Sequence, residues 1–349
     1  MTEEYQFSKR IYDARTEFYF GHECVHKHLH KFVRPHSKII LTCGMLHLSE
    51  SPAKREIENV LDDLLCQYEW CEFIDQNAEY SRLLEIADRV RVFKPDLLIA
   101  VGGGSVIDGT KFIALASKLD ASEHFWEKHC TFDWPKDAYP IGVVNTLVPN
   151  GSEWNQTFSV LRMKKGQKII SRSKLATPVF ALFDPGYAES ADTLMVQRRL
   201  FIAVLRGIFL LIDRDPVVSY DTTISATIKF ILANVADYPT ANDELREKML
   251  YCCTILTSSV FDLYKNYSPL TDMLTHQLAT FYNLPYDIVF PVVAISQMRK
   301  HPIEEEGIYQ NVGQYVMQDN TSDHAIIIGL EKVAQSLEIG LNLLKYIEP

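Results

Sequence analysis

The stretch "PDLLIAVGGGSVIDGTKFIALA", Pro95 to Ala116, runs from a short apolar segment through three consecutive glycines and a serine into a helix-like pattern. A continuous apolar run bounded by turn residues suits a parallel strand buried on both faces, so "LLIAV" reads as the centre of a sheet. Gly102, Gly103 and Gly104 remove side chains where strand hands over to helix. A ligand can then approach the backbone, and the first N–H groups of the helix point at it. A phosphate suits that place. A glycine-rich turn also serves many α/β loops merely as a tight turn. The phosphate-loop lysine pattern is absent, and GGGSxxD departs from the usual dinucleotide spacing.

Working outward, short apolar runs alternate with amphipathic segments: "KIILTCG", "SPAKREIENVLDDLL", "YEWCEFI", "YSRLLEIADRVRVF", then "YPIGVVNT". Alternation of this kind predicts an α/β fold with a parallel sheet covered by helices. "TFSVLRMKKGQKIISRS" carries two strand-like arms around Lys165, Gly166 and Gln167 and reads as a β-hairpin at the edge of the sheet. After "PVFALFDPGY" long helical patterns follow, as in "LMVQRRLFIAVLRGIFLLI" and "NDELREKMLYCCTILTSSVFDLY". Two domains are expected, an α/β domain over 1–186 and a helical domain over 187–349.

A chain of 349 residues with 47% hydrophobic and 23% charged residues has the makings of a sizeable core. The net charge of −10 argues against a nucleic-acid partner, which needs clustered Lys and Arg. No apolar run reaches membrane-spanning length and "MTEEYQFSKRIYDARTEF" lacks the pattern of a signal peptide, so a cytoplasmic location without membrane attachment is expected. Seven cysteines without CxxC spacing point to buried thiols. His22, His26 and His30 have i,i+4 spacing, but the charges around them read as a solvated helix lacking the carboxylates that would complete a metal shell.

Four segments in order resemble the iron-containing alcohol dehydrogenase family, and within it the butanol dehydrogenase and aldehyde reductase branch. "FYFGHECVHKHLHKF" is similar to that family's opening strand and helix, "GGGSVIDGTK" to its diphosphate loop, "NTLVPNGSEWNQTFSVL" to its second nucleotide-contacting segment and "PVFALFDPGY" to its domain junction. The resemblance implies a dinucleotide-binding domain, a helical domain and a cofactor, NADP or NAD, in the cleft between them. By the same resemblance Gly102, Gly103, Gly104 and Ser105 hold the diphosphate, and Asp108 ties down the loop or approaches the cofactor. Thr146, Leu147 and Ser152 line the adenine and nicotinamide sides. Gly44 stands where the family often carries an acidic residue that repels a 2′-phosphate, which permits NADP, with His47 or Ser49 to meet its phosphate. The chain ends soon after the family's late helices, so the helical domain is expected to be shortened there, with a homodimer as its candidate assembly.

The family binds one divalent ion through an aspartate, a histidine four residues later and two later histidines. The matching positions here hold Arg206, Leu210, His276 and Tyr286. Iron and zinc need several anionic or imidazole donors together, so neither is expected. Arg206 is the only charged residue from Leu200 to Ile212, in a helix apolar nearly all round. A guanidinium buried there needs a partner. Asp272 or Glu153 can pair it internally; otherwise it faces a substrate carboxylate, phosphate or carbonyl oxygen. His276 follows Asp272 by four residues, which lets the aspartate fix the imidazole tautomer, and Tyr286 is a second proton donor. Two functions follow from these residues. One is an NAD(P)-dependent oxidoreductase that converts an aldehyde or alcohol without the metal, using Arg206, His276 and Tyr286 on a small carbonyl or anionic substrate. The other is an inactive, nucleotide-binding relative with a scaffolding role.

Overall fold

The computed structural model describes residues 16–44, 51–72, 74, 78–119, 125–126, 135–189, 191–212, 218–258, 270–304, 309, 312–313, 316 and 322–346. Strands β1 (Glu17–Phe20), β2 (Lys38–Cys43), β3 (Gln67–Cys71), β4 (Leu97–Gly102), β5 (Ile141–Asn145) and β8 (Phe180–Phe183) form one sheet in the order β1-β8-β5-β4-β2-β3. Every pairing in it is parallel. Every residue of β4 is buried, as its unbroken apolar run requires of a central strand. Helices α1 (Cys24–His28), α2 (Pro52–Asp63), α3 (Tyr80–Phe93) and α4 (Gly104–Ala116) cover the faces. From the carboxyl end of β2 the chain leaves outward to β3, whereas from β4 it leaves the other way to β5. The crevice between the two departures is the topological switch point at which such sheets bind ligands. Gly44 and the triple glycine flank it.

β6 (Thr157–Arg162) and β7 (Gln167–Arg172) form the antiparallel hairpin, with Met163–Lys165 and Gly166 (φ +58°) as its turn. Gln167 opens β7 and is not a turn residue. The hairpin is not an edge of the main sheet, contrary to the sequence expectation; it is a second sheet lying over α4. Phe158 and Val160 bury against α4, and the Lys111 ammonium rises from that helix to Asn155 O (2.8 Å), Asn155 Oδ1 (3.0 Å) and Thr157 O (2.9 Å). Lys111 is fully buried, and the loop residue Asn155 with Thr157 at the start of β6 supplies the acceptors such a charge needs.

The helical half comprises α5 (Thr193–Leu211), α6 (Val218–Asn234), α7 (Asp243–Leu256), α8 (Leu270–Phe281), α9 (Tyr286–Glu304) and α10 (Asp323–Ser336). Asp192 caps α5 by accepting from Met195 N, as a short carboxylate at an N-cap should. Leu200 to Leu211 are buried apart from Arg206, and α5 runs through the middle of the bundle against α6, α7 and α9. The histidine segment differs from the long helix the spacing suggested. α1 holds five residues and gives way to a 3-10 turn at Leu29–Lys31, so His26 and His30 do not share one α-helix. His22 precedes the helix, and carboxylates do reach it: its Nδ1 lies 3.2 Å from Asp184 and its Nε2 2.5 Å from Glu247 of α7. An imidazolium there ties the end of β8 to the helical half.

Two measurable consequences arise from this packing. Gly142 of β5 sits beside Phe180 of β8, whose ring would lie 2.1 Å from an added Cβ and which stacks on Phe32 at 4.3 Å. Gly142→Val overpacks that site by about 1–3 kcal/mol, read as a lower urea midpoint with unchanged slope; an unaltered midpoint would contradict the packing. The Glu247 hydrogen bond raises the His22 pKa above its ordinary value, with Asp184 adding to it against partial desolvation. The stabilisation is therefore full below the unfolded value of about 6.5 and is lost as pH rises through the raised folded value. The melting difference between wild type and His22→Asn should shrink from about pH 5 to about pH 9. A constant difference would show that the charge does not matter.

Candidate functional site

Three neighbours demand the three glycines. Gly102 has φ +156°, and a Cβ there would fall 2.7 Å from Val106 Cγ2. At Gly103 the obstacle is Leu147 Cδ1 at 2.7 Å, and at Gly104 it is Asn150 Nδ2 at 2.0 Å. Gly103 is the N-cap of α4 without a side-chain cap, so the helix presents main chain to the crevice. Ser105 stands in the first turn of α4, and Gly44 closes the other wall, 3.7 Å from Val106 Cγ2 as measured from its ideal Cβ. His47 and Ser49 lie outside the described residues.

The loop from Asn145 to Glu153 faces the glycines and is held from below. Asp108 accepts from Ser152 Oγ (2.9 Å), Ser159 N (2.9 Å) and Ser159 Oγ (2.9 Å), so of its two expected roles it performs loop anchoring. Ser152 directs its hydroxyl to Asp108. Thr146 N donates to Gly102 O (3.4 Å) and Leu147 N to Asn145 Oδ1 (2.9 Å), which sets both beside the glycine turn. Glu153, fully buried, accepts from Gly151 N (3.3 Å) and Asn150 N (3.4 Å). Burial raises the pKa of Asp108 and of Glu153, opposed by Lys111 and their hydrogen bonds, and desolvation brings Lys111 down to about 8. Three acceptors around Lys111 match three ammonium protons, which the neutral amine would not have.

Across the cleft, Arg206 joins three segments. Nη1 donates to Asn150 O (2.8 Å); Nη2 donates to Asp272 Oδ1 (2.8 Å) and to Tyr286 Oη (3.1 Å). The Tyr286 hydroxyl itself donates to Asp272 Oδ1. The guanidinium also lies 5.3 Å from the centre of the Phe290 ring, which stacks on Tyr286 at 5.6 Å. Burial alone would raise the Asp272 pKa, but Arg206 and Tyr286 overcome it and hold the carboxylate below its ordinary value. Of the two internal partners open to Arg206, the structure selects Asp272. Glu153 instead accepts from the main-chain N–H groups of Asn150 and Gly151.

His276 lies one turn beyond Asp272, its ring 4.9 Å from that of Tyr286. Burial and the nearby Lys168 lower its pKa to about 3, so the imidazole is neutral. Asp272 does not fix its tautomer through Nδ1, since that nitrogen is buried without a hydrogen-bond partner among the described residues. Leu210 is buried in the bundle core. A divalent ion does not fit this centre. A permanent guanidinium already meets Asp272, and a second cation beside it would be repelled. Among the described residues no group of three or more His, Cys, Asp or Glu is gathered as a metal site. A dinucleotide does fit the crevice, where glycine main chain and an uncapped helix start suit a diphosphate.

Sequence reasoning did not reach Asn150, Lys111 or Phe290. For Lys111 a signal existed: a lone lysine in "GTKFIALA" is as conspicuous as Arg206 in its own helix. The role of Asn150 depends on the meeting of two distant helices and had no local signature.

The family model described as iron-containing alcohol dehydrogenase matches residues 15–185. The NADPH-dependent aldehyde reductase YqhD of Escherichia coli is 28% identical over 268 residues, 74% of this chain and 68% of that protein. The probable NADH-dependent butanol dehydrogenase 1 of Bacillus subtilis is 26% identical over 251 residues, 68% of this chain and 63% of that protein. Among solved structures, that of Escherichia coli YqhD superposes with a TM-score of 0.87 at 22% identity, covering 95% of this chain and 87% of the other. The NADH-dependent butanol dehydrogenase A of Thermotoga maritima gives 0.86 at 16% identity, covering 97% and 87%. Residues 15–185 thus match the iron-containing alcohol dehydrogenase family in sequence, and the parallel sheet and helical bundle match these structures in fold.

Proposed function

We propose that the protein binds NADP or NAD across the β2–β4 crevice and acts as an oxidoreductase on a small aldehyde or alcohol without the divalent ion of its relatives. The observation that carries this reading is the glycine cradle with its anchored loop, standing opposite the Arg206–Asp272–Tyr286 centre. Relatives described as an NADPH-dependent aldehyde reductase and an NADH-dependent butanol dehydrogenase support the cofactor and substrate class. A bound nicotinamide would supply or accept the hydride at the substrate carbon. The side chains must then meet the charge that develops on the carbonyl oxygen. Arg206 carries a charge that no physiological pH removes. Tyr286, between Arg206 and Asp272, gives its hydroxyl proton to that oxygen, and neutral His276 beside it relays a replacement from solvent. The cytoplasm is the setting of this reading, and a homodimer its candidate assembly. No helix among the described residues is long and apolar enough to cross a membrane.

One observation favours the second reading, a dinucleotide-binding relative without catalysis. Asn150 O, Asp272 and Tyr286 already engage both terminal nitrogens of Arg206, and the Tyr286 proton points at Asp272. Substrate would have to take over part of that network. Calorimetric titration with NADPH and NADH, followed by an assay of aldehyde-dependent NADPH oxidation, separates the readings. Saturable binding with turnover lost in Tyr286→Phe supports the oxidoreductase; binding without turnover on a panel of short aldehydes supports the second reading. Gly104→Ala places a methyl group against Asn150 and should weaken binding by about tenfold or more while the protein stays folded. Unchanged affinity in that variant would remove the cradle from the site.

A further inference from the structure

What stands in place of the family's metal is attached to the nucleotide loop. Arg206 Nη1 holds the Asn150 carbonyl at 2.8 Å, and Glu153 accepts from Asn150 N at 3.4 Å. Asn150 Oδ1 accepts from Ser152 N at 3.0 Å, which fixes the orientation of the carboxamide. Its Nδ2 is thereby turned onto Gly104, 2.0 Å from the place of a Cβ on that glycine. An amide nitrogen brings donors only, and this one lies over the first turn of α4, where main-chain N–H groups favour an anion.

We infer that Arg206 is a positioning residue for dinucleotide binding. Its guanidinium replaces a bound ion as the cross-link of α5, α8 and α9 and, through the Asn150 main chain, holds the Asn150 carboxamide as an added donor to the diphosphate. The inference rests on the reading of Gly102 to Gly104 as the diphosphate cradle. Planarity matters here: one guanidinium spans Asn150 O on one nitrogen and Asp272 with Tyr286 on the other, which a point charge on a lysine cannot do. A purely structural ion pair would need Asp272 alone. The bond to a loop carbonyl makes the geometry of the cradle depend on Arg206.

The test compares wild type, Arg206→Met, the double variant Arg206→Met with Asp272→Asn, and Asn150→Ala. NADPH and NADH affinities by calorimetry and unliganded melting temperatures are measured on each. Arg206→Met abandons a half-buried carboxylate and is expected to melt lower; the double variant removes that charge and should melt near wild type. The double variant and Asn150→Ala should each bind dinucleotide about tenfold or more weakly, and combining them should add little, because both act through one donor. Wild-type affinity in the double variant or in Asn150→Ala overturns the inference and leaves the cradle intact. Should the double variant fail to fold, Asn150→Ala decides alone. Failure of the wild type to bind either dinucleotide overturns the cradle, and the inference with it.

Discussion

A permanent cation inside an apolar helix constrains everything around it. Around Arg206 the middle of α5 is buried, so a guanidinium largely withdrawn from water must be met by acceptors brought from elsewhere. Those acceptors arrive from the loop after β5, from α8 and from α9, segments far apart in the chain. The point at which they converge lies opposite the glycine turn. The glycine turn with its facing loop and the centre of the helical half are therefore two ends of one hydrogen-bonded unit.

The loop between β5 and β6 is gripped by buried charge on both sides. Lys111 takes its acceptors at Asn155 and Thr157, Asp108 holds Ser152 and Ser159, and Glu153 holds the turn at Asn150 and Gly151. Arg206 closes the arrangement from the opposite wall. Buried charges are costly unless paired in good geometry. Concentrated along one loop, they fix where that loop stands relative to α4, which is the property a diphosphate site needs.

The elements most legible in the sequence are those with a strong period or a boundary signal. "YSRLLEIADRVRVF" matches α3 residue for residue, because its apolar face repeats at helical spacing and Glu79 caps it through Ser81 N and Arg82 N. The buried strand β4 and the demand of Arg206 for a partner were equally readable from residue type alone. The hairpin was recognised but misplaced, since strand pattern says nothing of which face covers which helix. The actual determinant was Lys111, a residue outside the hairpin. His22 and Asn150 were opaque for the same reason: each acquires its role from partners more than fifty residues away, Glu247 in one case and Arg206 in the other.

The proposal tested most directly is that the Arg206 guanidinium takes the place and the cross-linking role of a divalent ion. The most direct measurement is the melting temperature of the purified protein with excess chelator and then with added zinc or ferrous iron. A ligand that binds only the folded state must raise melting in proportion to its concentration over its dissociation constant. With Arg206 already seated on Asp272 and Tyr286, the melting temperature is predicted to be the same in all three conditions. A saturable rise with either metal, abolished by Asp272→Asn and reversed by chelator, would contradict the account.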